Sequence, residues 1–331
     1  MLAYELSSRT TMTIPFVRTP ESCFVKIPDF PFSPRYLENA VEGLRMAYYD
    51  IPAKDASSNE VFLCLHGDPT WSYLYRHMIP VLVTTGRVVC VDLIGFGRSD
   101  KPTLPEDYSF SMHRTALLSL VKHLALENIT LVVQDWGGIL GLTLPLERPS
   151  RYNRLLVMNT MLPIEPESSE LARDLISKDP QSGFAAWHKY SQASDDWNVG
   201  ELVNLTCRKQ LPQEIVAAYN APFPSPAYKV AANIFPTLVP ISSKQDGYAI
   251  GREALNFWKY QWNGSTFAAV GGRDRVIPPK LMHSLISNIR GCPAPLILPD
   301  TGHFVQEQSG KQVATAALEY FARAARKLSK L

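Results

Sequence analysis

Apolar residues along this chain gather in short, nearly continuous runs separated by longer stretches of helical spacing. The runs are Leu44–Tyr49, Val61–Leu65, Val88–Val91, Ile129–Val133, Leu155–Met158, Thr266–Val270 and Pro295–Leu298. Strands that are apolar at successive positions are covered on both faces, as in a parallel sheet. Between them, Ser111–Leu124 and Gly310–Leu328 space apolar residues three and four apart and predict helices packed on that sheet. Leu44–Tyr49 and Val61–Leu65 bracket the polar segment Lys54–Asn59 and read as a hairpin, and a helix is expected from Ser72. Residues 1–35, rich in Pro and turn formers, read as a wrapping N-terminal arm with little regular structure.

From about Glu167 to Pro240 the strand signal stops. Helical segments there are broken by Asp179-Pro180, Ser182-Gly183 and the Pro-rich run from Ala221 to Pro226. The whole pattern predicts an α/β fold, a mostly parallel sheet flanked by helices. Its core would comprise residues 1–166 and 241–331, with an inserted helical cap over 167–240.

Composition narrows the function classes. With 46% apolar and 19% charged residues in 331, the chain is that of a globular enzyme rather than a disordered segment. A net charge of +2 gives no field that would favour nucleic acid or an anionic membrane. The basic residues Arg323, Arg326, Lys327 and Lys330 close a helical pattern, where cations suit the helix dipole. The five cysteines are dispersed, with neither CxxC nor metal-ligand spacing, so no metal site is expected and a reducing, cytoplasmic compartment is. The N-terminus lacks the basic and apolar regions of a signal peptide, and no apolar run approaches the roughly 20 residues of a membrane span.

The chemistry centres on Val132-Val133-Gln134-Asp135-Trp136-Gly137-Gly138. An apolar strand runs into a Gly-containing turn and then a helical pattern, the context of a nucleophile elbow. Asp is also a preferred helix cap, so the turn alone does not settle its role. A carboxylate at such an elbow can displace a leaving group from carbon and form an alkyl ester, which must then be hydrolysed. Two further groups follow strands in the same way, Asp274 after Thr266–Val270 and His303 after Pro295–Leu298. The order nucleophile, acid, histidine is that of α/β-hydrolases. His303 would be the general base for ester hydrolysis, and Asp274 would fix its tautomer. Backbone N–H groups of Asp68 and Trp136 are placed to stabilise the oxyanion. The Asp68 carboxyl is out of place beside an oxyanion, so only its backbone receives a role; His66 is expected to support the loop.

The motifs HGDPTWSYLYRHMIP from His66, DLIGFGRSDKP from Asp92, LVVQDWGGILGLTLP from Leu131, GFAAWHKY from Gly183, APFP from Ala221, FWKYQWNG from Phe257 and TGHFVQE from Thr301 resemble the haloalkane dehalogenases of the α/β-hydrolase superfamily. The resemblance runs from about Val17 to Phe321, with the Xanthobacter-type subfamily as the nearest match. It implies that the indole N–H groups of Trp136 and Trp187 hold a departing halide, and that Phe184, Phe223 and Pro224 line the pocket. It also implies a small haloalkane, water and a halide ion as the only partners, no cofactor, and a monomer. Epoxide hydrolases share the Asp-His-Asp order and the Asp-Trp-Gly turn, and use two cap tyrosines, for which Tyr190, Tyr219 and Tyr228 are candidates; Trp187 is the feature that separates the two. A non-catalytic receptor of the same fold is a third reading, against which the presence of Asp135, Asp274 and His303 together counts.

Overall fold

The computed structural model describes residues 14–163, 183–207 and 210–328. Its strands are β1 (Phe16–Val17), β2 (Arg35–Val41), β3 (Leu44–Ile51), β4 (Val61–Leu65), β5 (Arg87–Val91), β6 (Lys101–Pro102), β7 (Ile129–Gln134), β8 (Tyr152–Met158), β9 (Ser265–Gly271) and β10 (Leu296–Leu298). β1 and β6 pair apart from the rest, and the other eight form one sheet in the order β10-β9-β8-β7-β4-β5-β3-β2. From β10 to β5 each neighbouring pair is parallel; β3 and β2 are antiparallel at one edge.

The continuous apolar runs have a direct cause in this arrangement. Leu131 and Val133 of β7 enter one core cluster, while Val132 between them enters the other, on the opposite face. The first cluster includes side chains of α2 (Phe110–His123) and α3 (Trp136–Gly141). The second includes α1 (Ile79–Leu82) and the long C-terminal helix Val305–Leu328. A strand between two helical layers must be apolar at every position.

Two expectations fail. β3 and β4 do not form a hairpin, because β5 lies between them, parallel to β4 and antiparallel to β3. β4 is buried at all five positions and takes parallel partners on both sides, which a hairpin edge would not allow. The actual hairpin is β2–β3, turning at Glu42-Gly43, where Gly43 has φ +84. The helix expected from Ser72 is broken into two short pieces. A single turn at Ser72–Tyr75 is followed by the separate α1, which carries Pro at its start.

Between β8 and β9 the chain forms α4 (Gly183–Ala193), α5 (Val199–Thr206), α6 (Gln213–Asn220), α7 (Val230–Leu238) and α8 (Tyr248–Asn256). The expected start of the cap at residue 167 lies outside the described residues. After β9 come α9 (Pro279–Ser287) and α10 (Val305–Leu328), which is kinked at Ser309, where the backbone is not helical. No helix among the described residues is long and apolar enough to cross a membrane.

α6 is tied to the core by buried polar contacts. The Trp71 indole donates to the Ala218 carbonyl at 3.1 Å. Arg76 makes a two-pronged ion pair with Glu307 at 2.6 Å on each arm, and the Tyr219 hydroxyl donates to the same carboxylate. At the end of the helix, the Thr19 hydroxyl donates to the Pro222 carbonyl at 2.7 Å. Arg76 and Glu307 are almost wholly buried, so removing one leaves an uncompensated charge in the interior. Glu307→Leu is expected to lower stability by about 3–5 kcal/mol in urea unfolding. A loss under about 1 kcal/mol, the size of a surface pair, would show that the Arg76 charge finds another partner.

Candidate active site

Asp135 closes β7 and caps α3 with φ +50 and ψ −129, a region that side chains other than glycine seldom adopt. Such strain costs of order 1–3 kcal/mol and persists only where neighbours enforce it. Here the Asp135 carbonyl accepts from the N–H groups of Gly138 and Ile139 and from the Thr160 hydroxyl at 2.7 Å, and the Asp135 N–H donates to the Asn159 carbonyl at 2.9 Å. Space is equally restrictive. A Cβ on Gly67 would stand 2.2 Å from Asp135 Oδ1, and one on Gly137 would stand 2.0 Å from the Leu65 carbonyl oxygen. The turn thereby presses against β4 and presents the carboxylate at the rim of the sheet.

His303, between β10 and α10, and Asp274, after β9, reach the same rim, as expected for loops at strand C-termini. His303 Nδ1 lies 2.8 Å from Asp274 Oδ2. Asp274 Oδ1 accepts from the N–H groups of Val276 and Ile277, and Asn159 Nδ2 donates to Oδ2. An acceptor-only carboxylate requires the proton on Nδ1, which leaves Nε2 as the working nitrogen. Nε2 is 3.4 Å from Asp135 Oδ2. Burial disfavours charge on His303, but Asp274 and then Asp135 outweigh it and push the ring up to about 10. The Gln134 amide opposes this, since its nitrogen faces Nε2 at 3.1 Å and the His303 carbonyl at 3.3 Å. Only a donor satisfies that carbonyl, so the amide orientation is fixed, and its N–H favours a neutral ring.

The remaining polar groups fall into place around the turn. The Asp68 N–H donates to Asp135 Oδ1 at 2.9 Å. The Trp136 N–H opens α3 and has no intrahelical acceptor. His66 accepts the Leu93 N–H on Nε2 at 3.0 Å and donates from Nδ1 to the Gly67 carbonyl. Burial holds it neutral, lowered to about 4. It braces the loop that carries Asp68.

A cavity of about 310 Å³ opens over Asp135, with Asp68, Trp187 and His303 among its lining and Leu202 and Leu205 on its apolar wall. Four of the six tryptophans use their indole N–H within the protein: Trp71 on Ala218, Trp197 on Asn233, Trp258 on Leu142 and Trp262 on Thr266. Trp136 is buried and makes no indole hydrogen bond with any described residue, although buried indoles normally find a partner. Trp187 is half-buried, and its indole faces the Asp68 carboxyl without closing a hydrogen bond of normal geometry. Trp136 is 2% exposed with its ring 4.7 Å from Phe235, and it is not among the described residues lining the cavity.

The walls differ from expectation. Phe223 is buried near Phe96 at 6.3 Å, Phe184 is half-buried beside His188, and Pro224 is exposed; none is among the described residues lining the cavity. The Thr19 contact ties the APFP turn to the N-terminal arm. Three supporting residues escaped the sequence reading: Gln134, Asn159 and Thr160. Gln134 carries a faint signal, a polar residue ending an otherwise apolar buried strand. Asn159 and Thr160 follow β8 at the same rim. No group of three or more His, Cys, Asp or Glu that could hold a metal occurs among the described residues.

A profile of the α/β-hydrolase fold family matches residues 60–309. A haloalkane dehalogenase of Psychrobacter cryohalolentis is 37% identical over 310 residues, covering 92% of this chain and 97% of that protein. One from Mycolicibacterium paratuberculosis is 37% identical over 314 residues, again covering 92% and 97%. Among solved structures, the tetrameric haloalkane dehalogenase DpaA of Paraglaciecola agarilytica superposes with a TM-score of 0.84 at 42% identity, covering 92% of this chain and 98% of that one.

Proposed function

The chain belongs to the haloalkane dehalogenases, hydrolases of carbon–halide bonds, and from that premise we propose which of its groups carry the reaction. The Asp135 carboxylate attacks the halogen-bearing carbon from the side opposite the halogen. The halide leaves toward the indole N–H groups of Trp136 and Trp187, and an alkyl ester of Asp135 remains. Esterification removes the Asp135 charge, one of the two carboxylates that hold a proton on His303. The ring becomes free to accept one from water, while Asp274 stabilises the imidazolium. Water attacks the ester carbonyl, the N–H groups of Asp68 and Trp136 receive the oxyanion, and the alcohol departs with one oxygen of Asp135. The products are an alcohol, a halide ion and a proton.

The observation that carries the assignment is the placing of two indole donors at Asp135: Trp136, the next residue in the chain, and Trp187, which lines the same cavity. An indole N–H is donor only and its ring excludes water, which suits a weakly hydrated anion. Trp187→Phe keeps the ring while deleting one donor. A hydrogen bond to a charged group is worth about 1.5–3 kcal/mol, so halide affinity and turnover should fall roughly ten- to 150-fold. Quenching of tryptophan fluorescence by bromide reads the affinity, and unchanged binding would return Trp187 to a packing role.

The epoxide-hydrolase alternative needs two hydroxyls converging on the cavity. Of the three cap tyrosines considered, Tyr190 alone is among the described lining residues, while Tyr219 is committed to Glu307. That favours halide release over epoxide opening, and the two substrate classes assayed side by side separate them. Within the family, the Trp136 and Trp187 pair supports the Xanthobacter-type subfamily. α4–α7 serve as the cap. DpaA is tetrameric, which supports an oligomer here in place of the monomer expected from the sequence. The five free thiols are in keeping with a cytoplasmic location.

A further inference from the structure

The Asp68 side chain is a buried carboxyl at the cavity that the mechanism leaves unused. Its backbone N–H is spent on Asp135 Oδ1, yet both carboxyl oxygens are inaccessible to solvent and have no hydrogen-bond partner among the described residues. The residue as a whole is 4% exposed and lines the cavity with Asp135, Trp187 and His303. An ionised carboxylate there would be desolvated, unpaired and next to a second carboxylate, three conditions that each disfavour the charge. Burial, and then Asp135, accordingly raise the Asp68 carboxyl well above the usual carboxylate range, against the opposing influence of the Trp187 N–H and His303. The Trp187 indole therefore faces this carboxyl, although it does not close a hydrogen bond of normal geometry.

We propose that Asp68 works as a neutral carboxylic acid whose O–H stands beside the Trp187 N–H as a further donor to the departing halide. The proposal rests on the reading of Trp187 as a halide donor. A carboxylic acid in an apolar cavity donates a strong hydrogen bond, and holding it neutral adds no negative charge where the halide forms. Ionised, the same group would repel the halide and claim the Trp187 N–H for itself. Halide binding is then coupled to protonation of Asp68 and weakens as pH rises through its titration. The other charged or titratable groups at the cavity are Asp135 at the end of β7, His303 before α10, Arg275 after β9 and Tyr190 on α4. His303 would shift halide binding in the same direction, so its contribution must be removed.

The test measures bromide binding by fluorescence quenching between about pH 6 and about pH 10 in a His303→Gln background. With Asp68 present, affinity should fall as pH rises and a proton should be taken up with the ion. Asp68→Asn, which keeps a donor without a titrating charge, should bind bromide across the range with no such fall. Asp68→Ala should also lose the pH dependence but bind about tenfold or more weakly. A carboxylic acid C=O band in the infrared spectrum should be present in the parent and absent from Asp68→Asn, a readout independent of activity. Retention of the pH-dependent fall in Asp68→Asn, equal binding by the Asn and Ala variants, or no change in the infrared band would overturn the proposal. If Asp68→Ala does not fold, Asp68→Asn and the infrared band decide. Trp187→Phe in the same background separates the two claims. Weakened binding there with unaltered Asp68 variants removes only the role of Asp68; unaltered binding there removes the role of Trp187 as well.

Discussion

Asp135→Ala is expected to abolish halide release from chloro-, bromo- and iodoalkanes, with a loss of at least roughly ten-thousand-fold, as when other enzymes lose their nucleophile. The size follows from the site. The carboxylate sits on a strained turn enforced by Thr160, Asn159 and the close approach of Gly67 and Gly137, and the neighbouring carboxyls are unsuited to replace it. Asp274 is occupied by His303, Asn159 and two backbone N–H groups. The Asp68 carboxyl oxygens are buried with no hydrogen-bond partner among the described residues, and burial raises the group well above the usual carboxylate range, which weakens it as a nucleophile. Circular dichroism distinguishes lost chemistry from lost folding. Asp135→Asn is the weaker test, since an amide at this position can hydrolyse back to the acid. Halide release from Asp135→Ala near the parental rate would place the nucleophile elsewhere.

His303→Gln should separate the two halves of the reaction. Alkylation needs no base, because Asp135 attacks as an anion, so one halide per site should still be released. Ester hydrolysis needs His303 Nε2, so the alkylated protein should accumulate, with a mass increase equal to the alkyl group. In the parent enzyme, a single turnover in oxygen-18 water should give mostly unlabelled alcohol and leave the label on Asp135, since water attacks the carboxyl carbon and the alcohol keeps the original oxygen. Mass spectrometry reads both results. Fully labelled alcohol in the first turnover, with halide release but no adduct in His303→Gln, would mean that His303 activates water for direct displacement at carbon.

The parts legible in the sequence are those whose physics is local. The buried strands announce themselves by apolar runs, Asp135 directly follows one, and Asp274 and His303 lie in the loops after β9 and β10, so topology brings the three together once the sheet is parallel. Long-range choices are not visible in that way. β2 was missed because it is an edge strand with exposed Glu38 and Asn39 and a register shift between Leu37 and Val41. The false hairpin arose because nothing within Lys54–Asn59 reveals that β5, formed later in the chain, inserts between β3 and β4. Long-range polar ties are equally hidden: motif position identifies Phe223 and Pro224 but not the hydroxyl of Thr19, 203 residues away from Pro222, that bonds to their turn.

The Arg76–Glu307 pair also bears on how the chain is made. Glu307 leaves the ribosome 231 residues after Arg76, yet the same carboxylate receives Tyr219 from α6. Until it arrives, the nascent chain holds the Arg76 guanidinium without this counter-charge, and the Tyr219 contact that ties α6 to the core waits for the segment that carries Glu307. Such late, long-range closure makes for slow folding and exposes the growing chain to aggregation.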